Sequence, residues 1–395
     1  MTRILFVTWD GTQVGYLESL FLPIFERLAG HGFHFDVLQF RWGSADDADP
    51  IRRRCEAVGC GYRHATIRRG LAGLGPFASA FAGARHVCDA VRQFGSDAIM
   101  PRSLMPAIAV LRAGGRRLRP ILFDADGLAA DEKMEFGSLS PNGPTYRILR
   151  HVEARTAREA ASVLVRSPAA ATILSDRSGC GLERFHVVAN GRDEKLFQPF
   201  DAAARQRVRE SLGIAADAPV AAYAGSVGPQ YRFDRIRDFA GALAALRPDA
   251  RLLVLSGSPD LAEAELKGAA LSPIHMRAAP DAVGAYLAAA DLGLAFRTDS
   301  FSMKGVSPLK LGEYLMCGVP TLGNVMIGDT SGAVADGVLM DDRLGSAAAA
   351  RWLVEDIMPN REDYRARARA IGVEIFSLSR SVEDYLRAIR AGGFG

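Results

Sequence analysis

The sequence predicts an α/β protein made of two successive parallel-sheet domains, and three observations carry that prediction. Short apolar strands alternate with stretches of helical apolar spacing from the first residues onward. A polar, proline-containing passage over 190–219 interrupts the alternation, which then resumes. A length of 395 residues, 49% hydrophobic and 24% charged, suits two ordinary domains with sizeable cores. The boundaries are drawn at 1–190 and 191–371, with a last helical stretch over 372–395.

The elements follow in order. Ile4 to Val7 reads as a buried strand, and Leu17, Leu20, Phe21, Ile24, Phe25 and Leu28 recur at helical spacing before Gly30 and Gly32. Phe33 to Leu38 resumes as strand, and further strands are predicted at Asp97–Met100, Pro120–Phe123, Ser162–Val165 and Phe185–Val188. A long helix covers Tyr146 to Glu159, and another lies inside the connecting passage around Asp201 to Leu212. In the second half, strands are predicted at Val220–Ala224, Arg251–Leu255 and Leu292–Phe296, with helices near Phe233–Leu246 and Ala282–Ala290. After Ser346 the chain turns helical to its end.

One segment stands out, Val306-Ser-Pro-Leu-Lys-Leu-Gly-Glu-Tyr-Leu-Met-Cys-Gly-Val-Pro-Thr-Leu322. Ser307 suits an N-cap and Pro308 the first helical position, where its missing N–H costs nothing. Projection at about 100° per residue puts Lys310, Glu313, Tyr314 and Cys317 on one, outward face. Pro308, Leu309, Leu311, Gly312, Leu315 and Met316 share the packed face, with Gly312 allowing close backbone approach. Gly318 ends the helix and a strand begins at Val319. The free amides of such a helix start favour anions, so a diphosphate over Ser307 and Leu309 would be held by backbone and dipole. Glu313 would then lie roughly 8 Å further along the axis, at about 1.5 Å per residue, within reach of a ribose. An ordinary amphipathic helix with Lys310 and Glu313 as a solvated pair is the plainer alternative.

Composition excludes several classes. Disorder is not indicated, no run of 18 or more apolar residues exists, and the first strand is too short for a signal peptide, which predicts a cytoplasmic protein. Five cysteines without C-x-x-C or Cys/His spacing read as reduced thiols. Net charge is +3, but residues 1–166 hold 22 Lys and Arg against 17 Asp and Glu. Arg52, Arg53, Arg54, Arg63, Arg68, Arg69, Arg112, Arg116, Arg117 and Arg119 flank the apolar 71–77 stretch and Phe81. Such a surface suits peripheral contact with an anionic membrane, the inner face of the cell membrane for a cytoplasmic protein; solvated helix faces explain it equally simply. Nucleic acid is not expected, because no aromatics interleave the basic runs.

Ser-Pro-x-Lys-x-x-Glu-Tyr-Leu-x-x-Gly-x-Pro resembles the nucleotide-sugar motif of the retaining glycosyltransferases of family four. Asp124-Ala-Asp-Gly127 resembles that family's signature after an N-domain strand. Val188-Ala-Asn-Gly-Arg-Asp193 with Phe197-Gln-Pro199 resembles its Asn-Gly-Val-Asp…Phe-x-Pro linker, and Tyr223-Ala-Gly-Ser226 with Tyr231 resembles the opening of its C-terminal domain. The match is ordered along nearly the whole chain. It implies the GT-B architecture, two Rossmann-like domains facing across a cleft, acceptor-binding first and nucleotide-sugar-binding second, with the last helix crossing back to the first. It further implies a retaining, metal-independent hexosyl transfer from a nucleotide-diphosphate sugar to a saccharide or lipid-linked saccharide in cell-surface polysaccharide biosynthesis, with no cofactor.

Carried onto this sequence, the resemblance gives Asp126, Arg232, Lys310 and Glu313 as catalytic residues. Gly11, Gly15, Gly225, Ser226, Lys304, Ser307, Pro308, Leu309 and Glu313 would bind the nucleotide sugar. Cations aimed at the diphosphate leaving group should carry most of the catalysis. Two departures stand out. Gly305 occupies the place, eight positions before Glu313, where the family often has a glutamate, and the nearest cations after Gly225 are Arg232 and Arg235. His275 and Arg297 lie in loops that could line the base or phosphates, although loop capping is the plainer reading of both. Asp124 and Asp126 could instead form the D-x-D metal site of the GT-A fold. Other readings are a GT-B nucleotide-sugar 2-epimerase and a non-catalytic sugar-nucleotide-binding subunit. A dinucleotide oxidoreductase lacks its glycine fingerprint.

Overall fold

The computed structural model describes residues 1–10, 15–42, 48–67, 74–325, 327–328 and 330–395. It divides into two units: Met1–Ala189 with Lys304–Val306 and Ser381–Gly395, and Asn190–Met303 with Ser307–Arg380. Residues 372–380 therefore group with the second unit, whereas the whole 372–395 stretch was expected with the first. The physical reason is that one helix runs unbroken from Arg361 to Phe376 and packs on the Leu309–Met316 helix, before a new helix begins at Leu378.

In the first unit, strands β1 (Thr2–Asp10), β2 (Phe33–Arg41), β3 (Tyr62–Thr66) and β4 (Ala98–Pro101) form a parallel sheet in the order β3-β2-β1-β4. Strands β5 (Leu122–Asp124), β6 (Ser162–Val165) and β7 (Phe185–Val187) form a second parallel sheet. The bridges Ile99 to Ile121 and Arg102 to Asp124 join β4 to β5. On one face of β1, Phe6, Phe21, Phe25 and Phe35 close a ring cluster in which Phe25 and Phe35 stack at 4.0 Å. Burial of such aromatics supplies much of the driving force for the unit.

The second unit has β8 (Val220–Ala224), β9 (Arg251–Leu255), β10 (Pro273–Met276), β11 (Leu292–Ala295), β12 (Thr321–Gly323) and β13 (Leu339–Asp341), all parallel, in the order β10-β9-β8-β11-β12-β13. Alternate residues of β8 enter opposite cores. Ala221 and Tyr223 pack with Phe233, Phe239 and Leu294, while Val220, Ala222 and Ala224 pack with Leu253, Leu287 and Met316. Burial on both faces explains why the strands read as continuous apolar runs and why the sheet is parallel. Strands β3, β10 and β13 were not expected: all three are edge strands, and His64, Arg63 and His275 interrupt the apolar pattern of the first two.

This order is the doubly wound one, in which the connections reverse direction between β8 and β11. Ligands of such sheets sit beyond the carboxyl ends of the strands at that reversal. The place to search is therefore the loops after Ala224, Ala295 and Gly323.

Candidate functional site

The Leu309–Met316 helix is docked at that reversal. Tyr314 is fully buried, and its hydroxyl accepts from Ala224 N at 2.8 Å and donates to Leu294 O at 3.3 Å, tying the ends of β8 and β11 to the helix. Gly293 makes room: a Cβ there would strike the Tyr314 ring. On the other side Gly312 lies against Phe376, where a Cβ would sit 2.7 Å from Phe376 Cβ. The expected two-faced helix is thus corrected. Tyr314 and Cys317 do not look outward; both are buried, because the sheet covers one side and the Arg361–Phe376 helix the other.

The start of the helix also differs from expectation. Pro308 is the N-cap, at φ −78° and ψ 94°, and Leu309 is the first helical residue. Ser307 caps nothing with its side chain; it is buried, and its carbonyl accepts a long 3.5 Å bond from Asn190 Nδ2. Proline cannot donate, so the first amides lacking an in-helix carbonyl partner are those of Leu309, Lys310 and Leu311. Gly318 ends the helix in the left-handed conformation, φ 72°, as expected.

A cavity opens here, lined by Ala295, Phe296, Arg297, Pro308, Lys310, Leu311, Gly323, Asn324, Ile327 and Leu339. Its polar end is cationic. The Lys310 ammonium donates to the Tyr223 hydroxyl, which in turn donates to Ser226 O. Gly225, at φ 138°, must be glycine twice over, since a Cβ would strike Lys310 Cε and Nζ. Arg297 stacks on Tyr231 with its Cζ 4.9 Å from the ring centroid, and its amide donates to Asn324 Oδ1 at 2.6 Å. Two bonds from Thr298 to Pro229 O and Gln230 O hold the loop after β11 to the loop after β8. Burial and the neighbouring Arg297 charge push the Lys310 ammonium well below the usual lysine range.

Of the expected binding residues, Lys310 and Pro308 line the cavity, Gly225 backs Lys310, and Leu309 opens the helix. Ser226 is exposed and contributes its carbonyl to Tyr223. Arg232 does not join the group: its guanidinium is committed to Asp234, holding that carboxyl below the usual range by hydrogen bonding. Arg297, not Arg232, is the second cation. Glu313 lies outside the cavity lining. Its Oε1 is 2.7 Å from Arg192 Nη2, and 13% of its side chain remains exposed, so it is neither sealed in protein nor free in solvent. Gly11 lies outside the described residues, and Gly15 precedes the helical turn at Leu17.

Lys304 is exposed, in the short 3₁₀ turn Ser302–Gly305. Its carbonyl accepts from Ser167 Oγ at 2.6 Å, and that same Oγ caps the Pro168–Ser178 helix at Ala170 N. Gly305 then packs on Gly127 and Leu128: a Cβ at Gly305 would lie 2.9 Å from both Leu128 N and Leu128 Cγ. A side chain there would have to displace the Leu128 backbone.

The first unit carries a second polar cluster, at the carboxyl ends of β4 and β5. Asp124 is fully buried and takes Arg166 Nη2 on both oxygens at 2.7 Å and Arg102 Nη1 at 3.0 Å. Arg102 Nη2 reaches Asp126 Oδ1 at 2.8 Å. Asp126 holds φ at 55° and neighbouring Ser103 at 62°, backbone conformations costly for residues with a Cβ. Asp126 keeps 32% of its side chain exposed. Withdrawal from water pushes its carboxyl up, against the pull of Arg102. Two arginines occupy the carboxylates that a D-x-D metal site would need, so this cluster does not fit a divalent cation. Among the described residues no group of three His, Cys, Asp or Glu side chains could hold a metal ion.

Residues 20–191 match the family model of the glycosyl transferase 4-like domain. No curated protein sequence matches the chain significantly. Solved structures match its whole length. HepE of Anabaena in complex with UDP-glucose superimposes with a TM-score of 0.69 at 18% identity, covering 99% of this chain and 100% of that one. Sucrose-phosphate synthase of Thermosynechococcus elongatus gives 0.68 at 16%, covering 99% and 98%. UDP-GlcNAc 2-epimerase of Neisseria meningitidis, bound to UDP-GlcNAc, gives 0.61 at 13%, covering 98% and 100%. The chain has the GT-B glycosyltransferase fold, with mixed α/β units and parallel sheets.

Proposed function

We propose that this protein is a glycosyltransferase that moves a hexose-type sugar from a nucleotide-diphosphate sugar to a saccharide or lipid-linked saccharide acceptor. The observation that carries the reading is the cavity at the β8/β11 reversal, where Lys310, Arg297 and the opening amides of the Leu309–Met316 helix converge. Transfer breaks a bond to a diphosphate, so negative charge grows on that leaving group as the reaction proceeds. Fixed cations and amide dipoles in a site withdrawn from water stabilise that charge more than they stabilise the ground state. The ribose hydroxyls are assigned to Glu313, and the acceptor hydroxyl to Asp126, the exposed member of the first unit's cluster. Retention of configuration, metal independence and a place in cell-surface polysaccharide synthesis belong to the same reading, supported by the motif order of the sequence and by the arginine-filled Asp124/Asp126 pair.

Among the described residues no helix is long and apolar enough to cross a membrane. Contact with the inner face of an anionic cell membrane is part of the proposal, supported by the half-exposed Phe81 with the Arg112 guanidinium 5.1 Å from its ring. Sedimentation with vesicles containing 30%, roughly, of an anionic lipid tests it by salt-sensitive binding.

The deciding experiment is a thermal-shift screen with UDP, GDP, ADP and CDP sugars, followed by NMR of the products with saccharide acceptors. A ligand at about 100 times its Kd stabilises by about 2.7 kcal/mol. Sugar transfer to an acceptor supports the reading; interconversion of the free nucleotide sugar without acceptor would instead support an epimerase, the activity named for the Neisseria meningitidis neighbour. Tight nucleotide binding without any turnover would leave a binding subunit.

A further inference from the structure

We infer that Arg192 is a positioning residue that fixes the Glu313 carboxylate for ribose recognition; this rests on the assignment of Glu313 proposed above. Glu313 is held from outside its own helix. The Arg192 guanidinium meets Oε1 at 2.7 Å, with only 16% of the arginine side chain and 13% of the glutamate side chain exposed. Its face lies over the Phe197 ring, Cζ 5.2 Å from the centroid. The backbone of Arg192 is pinned on both sides, donating to Phe376 O at 2.9 Å and accepting from Leu378 N at 2.8 Å. Phe376 is the residue that fits against Gly312, the neighbour of Glu313. The carbonyl that holds the Arg192 backbone and the ring that packs on Gly312 thus belong to one residue, Phe376.

The chemistry follows from the geometry. A carboxylate that takes hydrogen bonds from two vicinal hydroxyls must keep its plane fixed. Left to itself, a free χ3 would let the plane turn. A guanidinium presents its donors in one plane. By holding Oε1 it sets that plane, and the remaining lone pairs of the two oxygens are the acceptors this inference assigns to the hydroxyl donors.

The test measures how much of the nucleotide affinity comes from the ribose hydroxyls. UDP, GDP, ADP and CDP and their 2′,3′-dideoxy counterparts are titrated by calorimetry into the full chain and its Arg192→Gln and Arg192→Lys variants. The expected result is that the wild type prefers one ribonucleotide over its dideoxy form. Arg192→Gln should lose on the order of tenfold to a hundredfold for the ribonucleotide, the span of one charge-assisted hydrogen bond, with the dideoxy affinity unchanged. Arg192→Lys should recover part of the preference. The dideoxy affinity is the folding control, since a misfolded variant would lose both ligands together. Full ribose preference in Arg192→Gln, or an equal loss for both ligands, would overturn the role of Arg192 alone. A wild type that binds no nucleoside diphosphate, or binds both forms equally, would overturn the ribose assignment and with it this inference.

Discussion

The Lys310 ammonium lies 3.9 Å from the centroids of both the Tyr223 and Tyr231 rings, whose planes stand at 77° to one another. The ring faces attract the charge, but burial outweighs them and pushes the Lys310 ammonium down, with Arg297 adding repulsion. Of the charged and titratable groups around it, Tyr223 faces it from β8, Tyr231 and Arg297 from the loops after β8 and β11, and Glu313, on its own helix, is the one that pulls its ammonium back up. A bound diphosphate supplies the missing negative charge and favours the protonated form. Affinity should therefore fall as pH rises through the depressed Lys310 value. Calorimetric titrations of the nucleoside diphosphate over a series of pH values measure the decline. An affinity that does not fall with rising pH would sink the assignment.

Glu313→Ala should weaken donor binding by roughly 1.5–3 kcal/mol, about tenfold to a hundredfold in Kd. Alanine also removes the carboxylate that Arg192 meets at 2.7 Å, which lowers stability by itself. Glu313→Gln keeps the shape and one acceptor, so it separates the two effects. Donor titrations of both variants, corrected for their melting temperatures, decide the matter. Unchanged affinity in both would count against a ribose contact.

Much of this arrangement was legible in the sequence because it depends on local rules. Strands Ser162–Val165, Val220–Ala224 and Arg251–Leu255 and the Phe233–Leu246 helix lie where apolar runs and helical spacing put them. The sequence could not place what depends on partners distant along the chain. Arg232 seemed the cation nearest to Gly225, yet Asp234, two residues on, claims it; Arg297 is delivered instead by the parallel neighbour β11. Arg192 passed unnoticed because it occupies the valine place of the linker motif, and nothing local links it to a residue 121 positions later that the fold brings to 2.7 Å. Tyr314 fell on the wrong face because projection assumes one packed side, and this helix has two.

Glu153 predicts a pH effect on stability unrelated to the donor site. It is 1% exposed, and Arg177, its nearest cation at 3.5 Å, spends itself on Asp131 at 2.6 Å. Desolvation, only partly offset by Arg177, pushes the carboxyl up to about 7. Between the ordinary glutamate value and about 7 the folded protein holds a proton that the unfolded chain has released. Stability from this group is thus present at acid pH and lost as pH rises through 7, by a few kcal/mol at roughly 1.4 kcal/mol per unit. Glu153→Gln, uncharged throughout, should flatten the decline. Urea midpoints of both proteins at three pH values across that range measure it, and parallel curves would refute it.

Gly305 gives the last prediction. A Cβ at this position meets Leu128 N at 2.9 Å and Gly127 C at 3.3 Å, atoms of a backbone that Gly127 holds at φ 94°. Backbone cannot swing aside as a side chain would, so Gly305→Ala should cost about 1–3 kcal/mol through forced displacement of the Asp126–Leu128 turn. Because that turn carries Asp126, proposed above for the acceptor, turnover should fall further than donor affinity, which the proposal assigns to Lys310 and Arg297. Gly305→Glu, which restores the family's common residue, should be worse than alanine, since the longer side chain starts from the same blocked Cβ. Gly228→Ala is the control, as a Cβ there meets open space. Chemical unfolding and steady-state kinetics of the three variants give the comparison, and a fully active Gly305→Glu would show that the Gly127–Gly305 contact yields to a side chain after all.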